Sequence, residues 1–262
     1  MKLEVRNGTF GYGEKNILQD INFELSDDTV MTVLGPNGVG KTTLMKCIMG
    51  FLKWKSGVNL LDGKGISSLS NKEFWQKAGY VPQAKQCVFS YRVIDVVLMG
   101  LSAKQNFFAK PSADDYEKGY KLLDDLKISG IAHKYCNALS GGELQMVMIA
   151  RALISEPELI ILDEPESNLD MKNQLCVINT IEKVSKEYHT GCLINTHFPD
   201  HALQISDNTL MLGYGGKKLM GTTADVVTEK NIKEYFKVQS KIVSIHIDSK
   251  KYQTIFPYGI AT

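Results

Sequence analysis

Gly35-Pro36-Asn37-Gly38-Val39-Gly40-Lys41-Thr42, followed by Thr43, decides the fold. The run fits G-x-x-x-x-G-K-[ST], the phosphate-binding loop pattern. Its glycines let the backbone curl until successive N–H groups point inward as an anion nest. Lys41 brings a positive charge to the outer phosphates, and the Thr42 hydroxyl is placed to coordinate Mg²⁺. A helix opening here aims the positive end of its dipole at the same anion. Upstream, Val30-Met31-Thr32-Val33-Leu34 reads as a buried strand. Downstream, Leu44, Met45, Ile48 and Met49 form a helical apolar stripe. Strand, glycine-rich loop and helix in that order are the context the motif requires, and a chance glycine-rich turn lacks it.

The chain has 262 residues, enough for one large domain or two small ones with ample core. Thirty Lys and Arg against 29 Asp and Glu give a net charge of +1. Sequence-independent nucleic-acid binding needs a basic excess on one face, so that class is disfavoured. The five cysteines (Cys47, Cys87, Cys136, Cys176 and Cys192) are odd in number and scattered. Without a C-x-x-C pair they point to reduced thiols, not to a zinc site or a disulfide framework. Met1-Lys2-Leu3-Glu4-Val5 does not read as a signal peptide. No apolar run approaches the ~20 residues that span a bilayer. Work at a membrane would therefore borrow another protein's helices.

Residues 2–34 read as short strands and turns. Ile21-Asn22-Phe23-Glu24-Leu25 alternates as a half-buried strand. Tyr12 falls in a Gly11-Tyr12-Gly13 turn. From the turn alone, a tyrosine packing on its own sheet is favoured over an aromatic platform for a nucleobase. Ser70 with Glu73 makes a capping box that opens a short helix. Ala78-Gly79-Tyr80-Val81-Pro82-Gln83 reads as a strand stopped by proline, with Gln83 at the end where open α/β sheets bind ligands. The texture is helical over 91–155, broken by a loop at 104–111. There Tyr116, Tyr120, Leu122, Leu123 and Leu126 recur at helical spacing.

Leu139-Ser140-Gly141-Gly142-Glu143 precedes an apolar helix. It is a second candidate anion site, with bare backbone, a hydroxyl and a positive dipole end, or else a plain N-cap. Leu159-Ile160-Ile161-Leu162 is a buried parallel strand ending in Asp163-Glu164. Two carboxylates there are costly unless they serve a cation or a reaction. Asp163 suits Mg²⁺, and Glu164 can orient and deprotonate an attacking water. Ser167-Asn168-Leu169-Asp170 turns into the next helix. The strand Cys192-Leu193-Ile194-Asn195-Thr196 ends at His197, placed to donate to a phosphate oxygen. His133, His189, His201 and His246 read as surface or structural. Beyond 207 come strands, loops and one helix near 229–236, with a clean alternation over 241–247 that reads as a terminal strand.

Taken together, these motifs resemble the ATPase subunit of an ABC transporter, over nearly the whole chain and in the family's order. In that resemblance Tyr12 matches the adenine-stacking aromatic, which reverses the preference stated above. Residues 35–43 match the Walker A loop, Gln83 the Q-loop glutamine and 139–143 the signature. Leu159 to Asp163 match Walker B, with Glu164 as the catalytic carboxylate. Asn168-Leu169-Asp170 match the D-loop, and His197 matches the switch histidine. The resemblance implies a P-loop NTPase (RecA-like) α/β core with an antiparallel β-subdomain and an inserted α-helical subdomain. One ATPase domain would span 1–262. It would comprise 1–90 with Walker A, a helical subdomain at 91–155, and the rest of the core at 156–262.

The cofactors implied are ATP and Mg²⁺. Lys41, Gln83, Glu164 and His197 would be catalytic, and Thr42, Gln83 and Asp163 would hold the metal. The partners implied are a second copy in a head-to-tail homodimer, integral membrane permease subunits contacted by 84–90, and, indirectly, a substrate-binding protein. The location implied is the cytoplasmic face of the membrane, as a peripheral subunit. Asp95-Val96-Val97-Leu98-Met99-Gly100, residues 110–116 and 196–203 resemble the importer branch for iron–siderophore, haem and cobalamin complexes. Importers of molybdate, zinc or manganese use similar subunits, and exporters share the ATPase core. A soluble ABC ATPase of ribosomes usually has two cassettes, and one of DNA repair has a long coiled coil; this chain shows neither. Glu166 stands where the family often has Thr or Ser, and is expected as an extra negative charge near the dimer seam.

Overall fold

The computed structural model describes residues 1–83, 90–104, 110–248 and 250–261. Along the chain run β1 (Lys2–Tyr12), β2 (Lys15–Ser26), β3 (Val30–Leu34), α1 (Lys41–Ile48), β4 (Ser56–Leu61), β5 (Lys64–Gly65), α2 (Asn71–Lys77) and β6 (Ala78–Val81). Next come α3 (Val93–Leu98), α4 (Ala113–Asp125), α5 (Gly141–Leu153), β7 (Leu159–Asp163) and α6 (Met171–Glu187). The rest holds β8 (Gly191–Thr196), α7 (Pro199–Ile205), β9 (Asn208–Leu212), β10 (Lys218–Thr222), α8 (Thr223–Val226), α9 (Glu229–Phe236), β11 (Val238–Ile247) and β12 (Lys250–Ile260). They fall into two compact units, one of Met1–Ser68 with Leu193–Thr262, the other Leu69–Cys192.

In the first unit β2, β1, β4 and β5 form an antiparallel sheet in that order. β2 buries Ile21, Phe23 and Leu25 and exposes Asn22 and Glu24, as its alternation predicts. β3 runs parallel to β9, with Val33 opposite Leu210 and Leu34 opposite Met211. β10 pairs antiparallel with β9. All five residues of β3 are buried, the pattern of a strand covered on both faces. Leu34 and Met211 share a core with Ala202, Val226, Val227, Ile232 and Tyr235. That packing anchors the point where β3 hands the chain to the loop at 35.

In the second unit β6 lies parallel to β7, with Tyr80 opposite Ile161 and Val81 opposite Leu162. α6 buries Val177, Ile178, Ile181 and Val184, a stripe at helical spacing. Capping boxes open α2 (Ser70 with Glu73), α4 (Ser112 with Asp115) and α5 (Ser140 with Glu143). Each such cap is worth ~1 kcal/mol. Cys47, Cys136 and Cys192 are buried thiols outside any disulfide, and Cys176 is an exposed one.

The structure departs from the sequence in five places. Tyr12 ends strand β1 instead of sitting in a turn, because Gly11 and Tyr12 still pair with Asn16 and Lys15. α7 is a helix that the sequence reading lacks, although Pro199 at its first turn is a helix-start signal. Two helices, α8 and α9, stand where one is expected. The alternation at 241–247 belongs to a hairpin of β11 and β12 whose apolar positions are largely exposed. Glu166 is fully buried, so it presents no charge at a surface. The segment 84–90 lies outside the described residues except for Ser90, as does most of the loop at 104–111.

Candidate functional site

In the first unit the loop after β3 owes its path to its glycines. Gly38 has φ 83° and Gly40 φ 107°, a region that L side chains enter only with strain. A Cβ at Gly40 would also stand 2.6 Å from Ile17 Cγ2. Lys41 is buried, and its Nζ donates to the carbonyls of Gly35 (2.8 Å) and Pro36 (3.2 Å). Its charge is thus pinned at the mouth of the loop.

α1 starts without a side-chain cap and without an acidic residue in its first turn. The helices α2, α4, α5 and α6 all start with a side-chain cap. The start of α1 therefore meets an anion with no side-chain cap in competition, and nothing acidic opposes the dipole. Thr42 is exposed on that first turn. A buried ammonium, an uncapped helix start and a glycine curl fit a polyphosphate. Tyr214, absent from the sequence-level site, donates its phenol to the Asn37 carbonyl at 3.0 Å and ties down the loop's tip. Tyr12 is 58% exposed, and its ring stands perpendicular to Phe10 at a centroid distance of 5.1 Å. His197 follows β8, its ring 4.1 Å from that of Phe198, which in turn lies 5.1 Å from His201.

In the second unit β7 presents Asp163 and Glu164. The Tyr80 hydroxyl, one strand away, lies 3.5 Å from Asp163 Oδ2. Burial first, and the Asp163 charge second, push the Tyr80 phenol up to about 12, so it stays a donor at neutral pH. Glu164 takes φ 48°, a left-handed backbone for a long side chain. Ser167 braces it twice: Oγ donates to Glu164 Oε2 at 3.0 Å, and the Ser167 N–H donates to the Glu164 carbonyl at 3.1 Å. Gln83 is half-buried, two residues past β6. Among the described residues no group of three or more His, Cys, Asp or Glu could hold a metal ion. Asp163 offers the kind of oxygen ligand that Mg²⁺ takes, an ion held by one or two carboxylates with phosphate and water completing its shell.

Ser140 is the N-cap of α5. Its Oγ donates to Glu143 Oε2 at 2.9 Å and accepts from the Glu143 N–H at 3.3 Å. The hydroxyl offered to an anion in the sequence is engaged with Glu143 here. The Ser140 bonds, ahead of Lys134 at 3.5 Å, hold the Glu143 carboxyl below its ordinary value. Gly142 is buried, and a Cβ there would collide with the Asn173 side chain. Asn173 is fixed by Asp170, its N–H on Oδ1 at 2.8 Å and its Nδ2 on Oδ2 at 2.9 Å. Leu169 lies 3.5 Å from where a Gly141 Cβ would be. The segments at 139–143 and 168–170 thus meet through Leu169 and Asn173.

Gly142→Ala should therefore cost about 1–3 kcal/mol, the usual scale of overpacking. Thermal unfolding would register this as a drop of ~2–4 °C per kcal/mol. Adding Asn173→Ala should recover most of the loss. An equal drop in both backgrounds would count against the contact.

The sequence-level site residues divide between the units. Tyr12, 35–43 and His197 lie in the first, and Gln83, 139–143, Asp163, Glu164 and 168–170 in the second. A family model for ABC transporters matches residues 18–167 of the chain. The chain belongs to the ABC transporter family. It is an ABC ATPase, an ATP-binding subunit whose hydrolysis is coupled to transport. It is 40% identical over 245 residues to an uncharacterised ABC transporter ATP-binding protein of Methanocaldococcus jannaschii, covering 94% of this chain and 95% of that one. It is 35% identical to an iron chelatin transport ATP-binding protein of Helicobacter pylori, covering 88% and 91%. A solved structure described as an inward-facing metal-chelate type ABC transporter superposes with a TM-score of 0.87 at 32% identity, covering 98% and 97%. The fold of this ABC ATPase is the mixed α/β phosphate-loop fold with an antiparallel β-subdomain. No helix among its described residues is long and apolar enough to cross a membrane.

Proposed function

We propose that the chain is the ATP-hydrolysing subunit of an importer for an iron–siderophore, haem, cobalamin or related metal-chelate or oxyanion substrate. It works as a head-to-tail homodimer docked on membrane permease subunits at the cytoplasmic face. Likeness to a metal-chelate type transporter over 98% of the chain carries the reading. The iron chelatin relative supports it.

Bound ATP supplies the phosphoryl group to be hydrolysed, and Mg²⁺ supplies charge that steadies it. Lys41, the N–H groups of 35–43 and the start of α1 bind the phosphates. Thr42, Gln83 and Asp163 would hold the metal, with Tyr80 steadying the Asp163 carboxylate. Glu164 orients and deprotonates the attacking water, and His197 donates to a phosphate oxygen. Residues 139–143 close on the nucleotide of the second copy, bringing a second helix N-terminus to the same anion. Residues 168–170 support that surface. Residues 91–155 form the helical subdomain, between the core segments 1–90 and 156–262.

A tagged pull-down from native membranes, read by mass spectrometry, tests this. Co-purification with a many-helix permease and a substrate-binding protein is the expected result. Recovery only with ribosomes or DNA would overturn the transport assignment and leave only the ATPase chemistry. For Tyr12, an alanine substitution should weaken ADP binding about tenfold, since base–aromatic stacking is worth ~1–3 kcal/mol. Tyr12→Trp should keep the affinity, and isothermal titration calorimetry measures both.

A further inference from the structure

A loop that turns its N–H groups inward around an anion must turn its carbonyls away. In the loop after β3 the first carbonyls each meet a donor. Lys41 Nζ takes those of Gly35 (2.8 Å) and Pro36 (3.2 Å). The next, on Asn37, accepts the Tyr214 phenol at 3.0 Å. Asn37 and Gly38 are both exposed at the tip.

A trans peptide is planar, and its N–H points opposite to its carbonyl. No described peptide bond is cis. Whatever holds the Asn37 carbonyl therefore also aims the Gly38 N–H. A flip of this peptide would rotate Asn37 ψ and Gly38 φ and reverse both groups. Gly38 stands at φ 83°, and a glycine takes either sign of φ at little cost. The sequence at 37–38 thus leaves two orientations open, and the tyrosine selects one.

The turn that carries Tyr214 is itself fixed. β9 ends beside the start of the loop, so close that a Cβ at Gly35 would stand 2.4 Å from the Leu212 carbonyl. The Gly213 N–H closes the turn on the Lys217 carbonyl at 2.9 Å. Lys217 Nζ pairs with Glu234 at 3.0 Å, and Lys218 Nζ with Asp20 Oδ2 at 2.8 Å. Tyr214 is 59% exposed, so its ring fills no core. Its hydroxyl is what it brings to the loop.

We propose that Tyr214 is a positioning residue for the nucleotide: its hydroxyl locks the Asn37–Gly38 peptide with the Gly38 N–H turned into the nest. The loop then meets a phosphate chain already shaped, and binding is spared the cost of ordering it. The inference rests on residues 35–43 holding phosphates. The bond is neutral and exposed, so its loss should weaken binding about two- to tenfold. It acts on the phosphates and not on the base, so the same factor applies to any ligand with a diphosphate.

Calorimetric titration of the full chain with ADP and with inorganic pyrophosphate, both with Mg²⁺, tests this. Tyr214→Phe should raise both Kd values by one common factor, about two- to tenfold. Tyr214→Ala should do about the same, because the ring contributes little. With nitrogen-15 glycine labelling and no nucleotide, the Gly38 amide signal should shift or broaden in Tyr214→Phe. The signal of Gly119, buried in α4, should stay in place and report an intact fold. Unchanged affinity for both ligands would overturn the proposal, as would an unmoved Gly38 amide. Weakened ADP with unchanged pyrophosphate would also overturn it, since that pattern belongs to a residue at the base. Lys41→Ala is titrated alongside. Binding lost there but unchanged in Tyr214→Phe strikes the lock alone, whereas binding retained in Lys41→Ala strikes the phosphate loop and the lock with it.

Discussion

Lys41→Ala is expected to abolish detectable nucleotide binding. The ammonium is buried and held by the Gly35 and Pro36 carbonyls, so it sits where the loop narrows, not free in solvent. A hydrogen bond to a charged group is worth ~1.5–3 kcal/mol net. Losing two such bonds to a phosphate chain would raise the Kd by about 10²–10⁴. The substitution also removes the link between the loop's two ends, so the nest loses shape as well as charge. Lys41→Arg should fail nearly as fully, because a planar guanidinium does not replace a compact ammonium in a buried slot. A fluorescent-nucleotide titration decides it, and retained affinity would count against the phosphate-loop assignment. Thermal unfolding without nucleotide reports how far losing the two carbonyl bonds loosens the fold, which separates a binding defect from a folding one.

Much of this site is legible in the sequence because its signals are local. The buried run of β3, the glycines after it and the Ser70–Glu73 cap each act within a few residues. What escapes sequence reading is contact between distant residues. Tyr214 reaches Asn37 across 177 positions, and Tyr80 reaches Asp163 across 83. For Asn173, the Asp170-x-x-Asn173 spacing suggests a helix cap, but nothing local says that Gly142 must stay bare beside it. Glu166 shows the same limit: its charge is plain in the sequence, and its burial comes only from tertiary packing.

The hairpin of β11 and β12 shows a different limit. A period of two divides a strand into faces but does not say which face is covered. Here Ile242 and Ile255 are half-buried, while Val243, Ile245 and Ile247 are exposed. The rule that the apolar face turns to the core holds only where the strand lies against the core, and Val243, Ile245 and Ile247 do not.

Glu164→Gln is expected to keep nucleotide affinity within about threefold and lose turnover by about 10²–10⁴, the range a positioned general base contributes. The amide has nearly the shape of the carboxylate, and its oxygen can still accept the Ser167 hydroxyl now 3.0 Å away. The left-handed turn at 164 should survive for the same reason, since the Ser167 N–H still reaches the residue's own carbonyl. What disappears is the proton acceptor. Lys41, α1 and the glycine loop lie elsewhere in the chain and are untouched, so binding and chemistry come apart. Ser167→Ala makes the contrasting case. It leaves the base but removes a hydrogen bond to its carboxylate worth ~1.5–3 kcal/mol, so turnover should fall by at most about 10–10². Phosphate release and equilibrium ATP binding, measured on one preparation of each variant, separate the two. Wild-type hydrolysis by Glu164→Gln would remove Glu164 from the chemistry. A parallel loss of binding and turnover would make it a residue that shapes the loop after β7 instead of one that takes a proton.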